Sequence, residues 1–297
     1  MKTKVPFRWR VAARVNQLLP QVRGRFRIVD AISGPHHADA VTTVHLAPDL
    51  TFEADLNTSA HLFFLQYIPL SLGPLFDGVL RPGDFAIDVG ANEGLYTCYA
   101  ARRVGPLGSV VAMEPVPNTV ERLTANVARN GLSDIVDIKP EACGAEPGAL
   151  TMWVPDSGAH TSASAAMMDA SSPVETKVST LDSTADGRTV RLVKVDVEGY
   201  EAAVIAGATD LINSAEPPVI VLEVIYSHLA RLGYSTADIL GPLYVAGYEC
   251  YSLTTRGLVP SSTGGVRAPN VVALHRLAHQ DILASLQGVR WPIDQNC

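Results

Sequence analysis

Long hydrophobic runs are absent from this chain. No apolar stretch reaches the ~18 residues that a membrane-spanning helix needs. The nearest candidate, residues 62–80, is interrupted by polar and helix-breaking residues: Gln66, Pro69, Gly73, Pro74 and Asp77. The N-terminus is basic but lacks the apolar segment of a secretory signal peptide. We therefore expect neither a membrane span nor a secretion signal.

Paired cysteines are also missing. The four cysteines are scattered, and none forms a C-x-x-C pair: Cys98, Cys143, Cys250 and Cys297. The chain has 297 residues, 47% of them hydrophobic, so it can bury a full core without disulfides. The pattern favours free thiols in a reducing compartment, and we expect a cytoplasmic protein.

Acidic residues are missing from the N-terminal segment. The first 29 residues contain eight Lys and Arg and no acid, which leaves 15 basic and 30 acidic residues in the remainder, a net charge of −15. Nucleic acid is not the natural partner of so acidic a body. Within the basic segment, apolar residues recur at helical spacing: Phe7, Val11, Val15 and Leu18. They predict an amphipathic helix, so residues 1–27 either contact an anionic membrane peripherally or pack on the body.

The most informative segment runs from Phe85 to Gly94 and reads F-A-I-D-V-G-A-N-E-G. An apolar run ends at Asp88, a turn with two glycines follows, and a helix-like stretch begins at Leu95. Glycine admits positive φ angles and the close approach of a ligand, and a helix start offers unpaired N–H groups. Ligands of α/β sheets bind at this carboxyl end of the strands. The segment therefore predicts a nucleotide-type cofactor site.

The glycine spacing bears on the identity of the cofactor. Asp88, Gly90, Asn92 and Gly94 form D-x-G-x-N-x-G, whereas the dinucleotide fingerprint places its third glycine one position later. The pattern resembles the first motif of S-adenosylmethionine (SAM) methyltransferases. Glu114, at the end of the next strand, is suited to accept hydrogen bonds from a ribose diol, a device that NAD enzymes share. SAM, a dinucleotide and a plain strand-to-helix turn all stay open at this point.

Strand and helix patterns alternate after residue 80. The predicted core strands are 85–89, 109–114, 134–139, 191–195 and 219–222, and the predicted helices are 95–104, 118–130, 200–212 and 236–246. Such alternation predicts a parallel sheet with helices on both faces. An antiparallel pair, 248–253 and 271–275, closes the sheet, and short strands 150–154 and 174–180 flank a Ser/Ala-rich insert.

Two regions are expected along the chain. Residues 1–80 are predicted to be an N-terminal extension that packs on the core and contains the basic helix, a β-hairpin (41–46 and 51–56) and a further helix. Residues 81–297 are predicted to form the catalytic domain.

The second informative segment is L-V-K-V-D-V-E-G-Y-E at residues 192–201. Together with D-V-G-A-N-E-G, it resembles the FkbM family of SAM-dependent methyltransferases, which combines a G-A-N-x-G loop with a K-x-D-V-E-G-x-E segment. The flanking P-G-D, T-L-D and V-L-E triplets agree with that family as well. The resemblance covers roughly residues 80–225.

The resemblance implies a class I SAM methyltransferase fold, a Rossmann-like, seven-stranded, mostly parallel sheet with helices on both faces. It implies methylation, mostly of hydroxyls, on a small-molecule, sugar, glycolipid or natural-product acceptor. Rival interpretations are an NAD-type oxidoreductase and a non-catalytic binding module of the same fold. The residues expected at the SAM site are Asp88, Gly90, Ala91, Asn92, Gly94, Glu114, Pro115, Glu141, Ala142 and Asp196.

A hydroxyl acceptor needs a nearby base. Asp196 is the first candidate because it follows the fourth core strand, and the other catalytic candidates are Glu198, Glu223 and, in the insert, His160. His228 is a weaker candidate, and Glu201 is expected to stabilise the helix start. Mg²⁺ held by Asp196 and Glu223 stays open but is not favoured, so no metal ligand is assigned. The oligomeric state is left open.

Overall fold

A computed structural model describes residues 5–18, 31–32, 41–47, 49–55, 63, 71–155 and 171–291. The predicted catalytic residue His160 lies outside the described residues. The strands are β1 (Val41–Ala47), β2 (Leu50–Asp55), β3 (Phe85–Val89), β4 (Ser109–Met113), β5 (Val136–Lys139), β6 (Ala142–Cys143), β7 (Gly148–Pro155), β8 (Ser171–Ser179), β9 (Leu192–Val195), β10 (Val219–Glu223), β11 (Tyr248–Thr254), β12 (Gly257–Pro260) and β13 (Asn270–His275). The helices are α1 (Phe7–Leu18), α2 (Gly73–Val79), α3 (Leu95–Val104), α4 (Pro117–Arg129), α5 (Leu181–Ala185), α6 (Glu201–Ala206), α7 (Thr209–Ile212), α8 (Tyr226–Arg231), α9 (Thr236–Val245) and α10 (Gln280–Leu286).

The central sheet has the strand order β12-β11-β13-β10-β9-β3-β4-β5. The five strands from β10 to β5 are parallel neighbours. β13 runs antiparallel to both β10 and β11. This arrangement confirms the predicted class I fold with its antiparallel closing pair. One strand of this central sheet was not predicted: β12 forms a hairpin with β11 and adds an eighth strand at the edge.

Burial on both faces explains why the core strands are so apolar. All five residues of β3 are buried. Ala86 packs into one apolar cluster, with residues of α3 and α4, whereas Phe85 and Ile87 pack into the other, with residues of α5, α6 and α9. Alternate side chains of a strand point to opposite faces, so helices cover the sheet on both sides.

Of two helix ends predicted from local sequence pattern, one was placed within a residue and the other was wrong. α4 stops one residue short of its predicted end, and Gly131 follows in the left-handed conformation (φ 66°), donating its N–H to Ala128 O. The single helix predicted over 200–212 is wrong, because the chain breaks into α6 and α7 around Gly207. A Cβ on Gly207 would lie 2.1 Å from the carbonyl oxygen of Gly144, so glycine at this break admits a close tertiary contact.

The N-terminal helix and hairpin are present, and the side of α1 that is buried is that of Trp9 rather than that of Phe7. α1 buries Trp9, Ala12 and Ala13, whereas Phe7 is 74% exposed. The ring of Trp9 lies 5.7 Å from that of Phe63, edge to face, and joins an apolar cluster that includes the β1–β2 hairpin. The larger aromatic side chain removes more apolar surface from water, which explains why its face is the buried one.

The strands that flank the insert and the three cysteines that the structure describes agree with their predictions. β7 and β8 pair antiparallel from Gly148↔Val178 to Pro155↔Ser171 and form a separate sheet with β6. Cys98, Cys143 and Cys250 are free and buried. In the part of the chain that the structure describes, no helix is both long and apolar enough to cross a bilayer.

Candidate cofactor and acceptor site

The strand-end acids converge on one edge of the sheet. β10, β9, β3 and β4 are adjacent and parallel, so their carboxyl ends lie side by side. Asp88, Glu114, Asp196 and Glu223 lie at or directly after these ends. Because the ligand crevice of a parallel sheet opens at this edge, the fold groups the predicted residues as expected.

The glycine loop after β3 depends on positive φ angles. Gly90 (φ 73°), Asn92 (φ 48°) and Gly94 (φ 88°) all adopt the left-handed conformation, which asparagine tolerates better than most residues. A Cβ on Gly90 would lie 1.9 Å from the carbonyl oxygen of Asp196. A Cβ on Gly94 would lie 2.6 Å from Cδ1 of Leu123 in α4. The glycines therefore let the loop pack tightly against the two elements beside it.

Glu114 is a buried carboxylate with two backbone partners. Its Oε2 accepts a hydrogen bond from Asn92 N (3.0 Å), and its Oε1 accepts one from Val116 N (3.1 Å). Burial raises the pKa of Glu114 to about 7, against the lowering effect of these two bonds. A carboxylate has about four lone-pair sites, so two remain for donors such as a ribose diol. These two free acceptor positions fit the ribose hydroxyls in the adenosine part of SAM.

Lys194 joins two of the acids in an ion cluster. Its Nζ lies 3.2 Å from Oδ1 of Asp88 and 3.3 Å from Oδ2 of Asp196. Asp88 and Lys194 are paired in register across β3 and β9, and Thr97 donates to the other Asp88 oxygen at 2.6 Å. Burial alone would lower the pKa of Lys194, but the two carboxylates outweigh it and raise that pKa. The cluster joins the start of the glycine loop to the loop after β9.

The turn after β9 presents Glu198 in a strained conformation. Glu198 has a φ of 54°, which is costly for a residue other than glycine, and strain of this kind is concentrated at functional sites. Burial, together with the nearby charges of Asp196 and Glu201, raises the pKa of Glu198 to about 7. Its Oε2 lies 2.8 Å from Nδ1 of His228, on α8.

Glu201 serves the backbone of the same turn. Its Oε1 accepts hydrogen bonds from Val197 N (3.1 Å) and Gly199 N (3.2 Å). Burial raises its pKa to about 7 as well, against the lowering effect of its backbone bonds. The expectation that Glu201 stabilises the helix start agrees with these contacts.

The contacts of the other predicted site residues do not indicate a specific role. Glu141 pairs with exposed Lys177 at 2.8 Å, and although burial opposes it, hydrogen bonding to Lys177 lowers the pKa of Glu141. Ala142 is buried at the start of β6, and Pro115 is half-buried after Glu114. Glu223 is paired in register with Asn270 of β13. The described residues include no group of three or more His, Cys, Asp or Glu that could hold a metal ion.

Two contacts of the site join residues that are far apart along the chain. His228 lies beside Glu198, although 30 residues separate them along the chain. Lys194 pairs with Asp88 across 106 residues. A signal for the second pair was present: a lysine within an apolar strand that ends beside an acid-tipped strand needs a buried partner.

The comparisons with known proteins agree with this geometry. The family model described as the methyltransferase FkbM domain matches residues 88–250, more than half of the chain. The chain is 31% identical over 204 residues to the 31-O-demethyl-FK506 methyltransferase FkbM of Streptomyces tacrolimicus, covering 58% of this chain and 78% of that protein. A shorter match, 37% identical over 62 residues, joins it to a protein-L-isoaspartate O-methyltransferase of Triticum aestivum and covers 21% of this chain and 27% of that protein.

Among solved structures, a SAM-dependent O-methyltransferase from Thermotoga maritima is similar with a TM-score of 0.37 and 15% identity, covering 68% of this chain and 62% of that one. Nothing about function follows from so distant a likeness. The family match, together with a glycine loop and a buried Glu114 that fit SAM, decides against a dinucleotide. The chain belongs to the FkbM family of SAM-dependent methyltransferases.

Proposed function

We propose that this methyltransferase acts on a hydroxyl group of a small-molecule acceptor, namely a sugar, a glycolipid or a natural product. The observation that carries the proposal is Glu198, a strained carboxylate with a pKa of about 7 at the carboxyl edge of the sheet. A hydroxyl must lose its proton as the methyl group is transferred, and a base that titrates near neutral pH is suited to take it. SAM, when bound, supplies a methyl group on a positively charged sulfur.

The residues that would hold SAM come from three neighbouring strand ends. The loop of Gly90, Ala91, Asn92 and Gly94 would lie against the cofactor, and Glu114 would accept from its ribose hydroxyls. Pro115, Glu141 and Ala142 are proposed to lie toward the adenine ring. Asp88 has both carboxylate oxygens occupied by Thr97 and Lys194, so we assign it the support of the loop.

We propose that the acids at the ends of β9 and β10 have different roles, some in orienting the reacting groups and one in taking up the proton. Oδ2 of Asp196 is held by the Lys194 ammonium, so we propose that Asp196 orients the reacting groups. In the described part of the chain no Lys or Arg lies within ion-pair distance of Glu198, and its carboxylate would accept the acceptor proton at Oε1 or Oε2, with His228 holding its position at 2.8 Å. Glu223 is proposed to line the acceptor side of the crevice.

The named activity of the bacterial relative supports transfer to oxygen. That protein is a 31-O-demethyl-FK506 methyltransferase, a name that describes methylation of an oxygen. The net charge of −15 outside the first 29 residues disfavours nucleic acid as an acceptor. Both observations favour a small organic acceptor with a free hydroxyl.

Calorimetric titration with S-adenosylhomocysteine (SAH), the product form of the cofactor, tests the site. We expect the affinity to fall as the pH drops through about 7, because only the ionised Glu114 carboxylate can accept from both diol hydroxyls. Glu114→Gln should weaken binding at least tenfold and remove that pH dependence. The control is Glu121→Gln, an exposed position on α4. Equal affinity in the Glu114→Gln variant would refute the assignment.

Transfer of a radiolabelled methyl group from SAM to a panel of acceptors tests the reaction. The panel pairs alcohols with amines of the same carbon skeleton, across sugars and macrolide-type natural products. Label in the alcohols and none in the amines supports the proposal. Label confined to the amines would overturn O-methylation and leave the cofactor assignment intact.

The outer side of α1 favours a peripheral contact between the N-terminal segment and an anionic membrane. Phe7 is 74% exposed, Arg8 and Arg10 are exposed beside it, and the first 29 residues contain no acid. Each basic residue near an anionic surface contributes about 1 kcal/mol of attraction. We expect Phe7→Ser/Arg8→Glu/Arg10→Glu to lose sedimentation with phosphatidylserine vesicles, while Arg256→Glu, an exposed control, keeps it. Unchanged sedimentation of the triple variant would rule out this contact.

A further inference from the structure

We propose that the N-terminal hairpin, β1–β2, is a working part of the cofactor site, and that Asn126 of α4 is the positioning residue that connects the two. The hairpin precedes the residues matched by the family model, which begin at Asp88. The inference rests on SAM binding at the glycine loop, as proposed above.

The Asn126 side chain makes one hydrogen bond to the glycine loop and one to the hairpin. Its Nδ2 donates to the carbonyl oxygen of Glu93, within the glycine loop, at 2.9 Å. Its Oδ1 accepts from the backbone N–H of Glu53, on β2, at 3.2 Å. The side chain is 2% exposed, so losing either partner leaves a buried polar group without its bond.

A second asparagine fixes the hairpin without touching the loop. Asn130 Oδ1 accepts from Thr51 N, and its Nδ2 donates to Thr51 O, both at 2.9 Å. Arg129 adds an ion pair to Glu53 at 2.8 Å. The edge of β2 that faces away from β1 is thus satisfied at Thr51 and Glu53 by side chains of the α4 region, in place of another strand.

The same helix supports the glycine loop on its other side. Arg122 Nε lies 2.8 Å from Oε1 of Glu93, and Leu123 packs where a Cβ of Gly94 would be. The residue before Glu93 is Asn92, whose N–H donates to Glu114 at 3.0 Å. Through Asn126, the hairpin therefore fixes the carbonyl next to the amide that holds the ribose-binding carboxylate.

This arrangement predicts reciprocal coupling between hairpin and cofactor. If holding Glu93 O prepares the loop for its ligand, an occupied loop must hold Asn126, and through it the Glu53 N–H, more firmly. A hairpin that only stabilised the fold would give no such response.

Hydrogen exchange and SAH titration test the coupling in the full-length protein. In the wild type, SAH should slow exchange of the Glu53 amide, a measurement that needs no variant. Asn126→Ala should raise the Kd for SAH about five- to tenfold, the worth of a hydrogen bond or two, and abolish the exchange response. Asn126→Asp keeps an acceptor for Glu53 N–H but loses the donor to Glu93 O, so it should raise the Kd while retaining basal protection at Glu53.

Asn130→Ala is the matched control. It removes two bonds to Thr51 and one to the backbone carbonyl of Asn126, but none to the loop or to the Asn126 side chain, so it should weaken basal hairpin protection and leave the Kd for SAH within about twofold. An unchanged Kd in folded Asn126→Ala, or identical Glu53 exchange with and without SAH in the wild type, would overturn the proposal. If the wild type did not bind SAH at all, the cofactor assignment itself would fail, and this inference with it.

Discussion

Replacing Lys194 with methionine should destabilise the protein more than almost any other single change near the site. Lys194 is 5% exposed and lies between Asp88, 3% exposed, and Asp196. Methionine keeps the length and apolar stem of the side chain but leaves Asp88 as a buried carboxylate without a cation. Removing one partner of a buried ion pair costs about 3–5 kcal/mol. Domains are commonly stable by only about 5–15 kcal/mol, so the loss is a large fraction of the total.

Urea unfolding followed by circular dichroism measures this loss directly. We expect the free energy of unfolding to fall by about 3–5 kcal/mol at pH 7.5.

A double-mutant cycle separates the ion pair from packing. Asp88→Asn/Lys194→Met removes both charges, and Thr97 can still donate to the asparagine oxygen, so the double variant should be more stable than Lys194→Met alone. We expect a coupling energy of about 1–3 kcal/mol. A loss below about 1 kcal/mol for Lys194→Met, or strict additivity of the two changes, would refute the view that this cluster holds the two loops together.

Two further predictions concern stability. Gly90→Ala should lower the free energy of unfolding by well over 2 kcal/mol and abolish SAH binding, because its Cβ would meet the Asp196 carbonyl oxygen. Gly131→Ala is the comparison: its φ is 66° but the space around its Cβ is open, so thermal unfolding should show a loss of only about 1 kcal/mol. Burial lowers the pKa of His279 to about 4, so as the pH falls the unfolded chain takes up the histidine proton before the folded protein does. The stability that neutral His279 supplies is therefore complete above pH 6.5 and is lost, by about 3 kcal/mol, as the pH falls toward 4. Urea unfolding of His279→Gln should show that much less loss of stability than the wild type over this window. The difference isolates His279, because Glu114, Glu198 and Glu201, whose raised pKa values act in the opposite direction, are present in both proteins. Parallel pH curves for the two proteins would contradict this account.

The parts of the site that sequence predicted are those encoded within a few residues. The turn from Asp88 to Gly94 is set by local φ requirements, and strand-end acids meet because neighbouring parallel strands end together. The contacts that join distant segments were beyond local pattern. The Gly144 carbonyl that packs against Gly207 comes from a distant segment, and the buried face of α1 depends on what Trp9 packs against.

Asn126 illustrates the limit most clearly. In sequence it is one polar residue on an amphipathic helix, where a surface position is the natural interpretation. Its value comes from two backbone groups, Glu53 N and Glu93 O, that are 73 and 33 residues away. Pattern predicts which face of a helix is apolar, but not which backbone groups tertiary packing will bring to its polar residues.

Glu198 and Glu201 offer the sharpest division between chemistry and structure. Burial raises the pKa of both to about 7, so titration alone does not distinguish them. Their partners do. Glu201 gives one oxygen to two backbone N–H groups, a task that a glutamine oxygen can also perform, whereas Glu198 faces His228 and accepts no backbone bond among the contacts described. Glu201→Gln should therefore keep the turn and the reaction nearly intact.

The pH dependence of methyl transfer should follow this division. With a hydroxyl acceptor, the wild-type kcat should rise with pH through about 7, as a base with that pKa becomes ionised. Glu198→Gln should lower kcat by about 10²–10⁴-fold and flatten that rise, while Glu201→Gln retains it. Difference infrared spectra of the carboxyl stretch provide a readout that needs no acceptor, since Glu198→Gln should remove one of the groups that titrate near pH 7. If the rise in kcat persisted in Glu198→Gln, the proton would have to leave through another group, with His228 the next to test because it lies 2.8 Å from the same carboxylate.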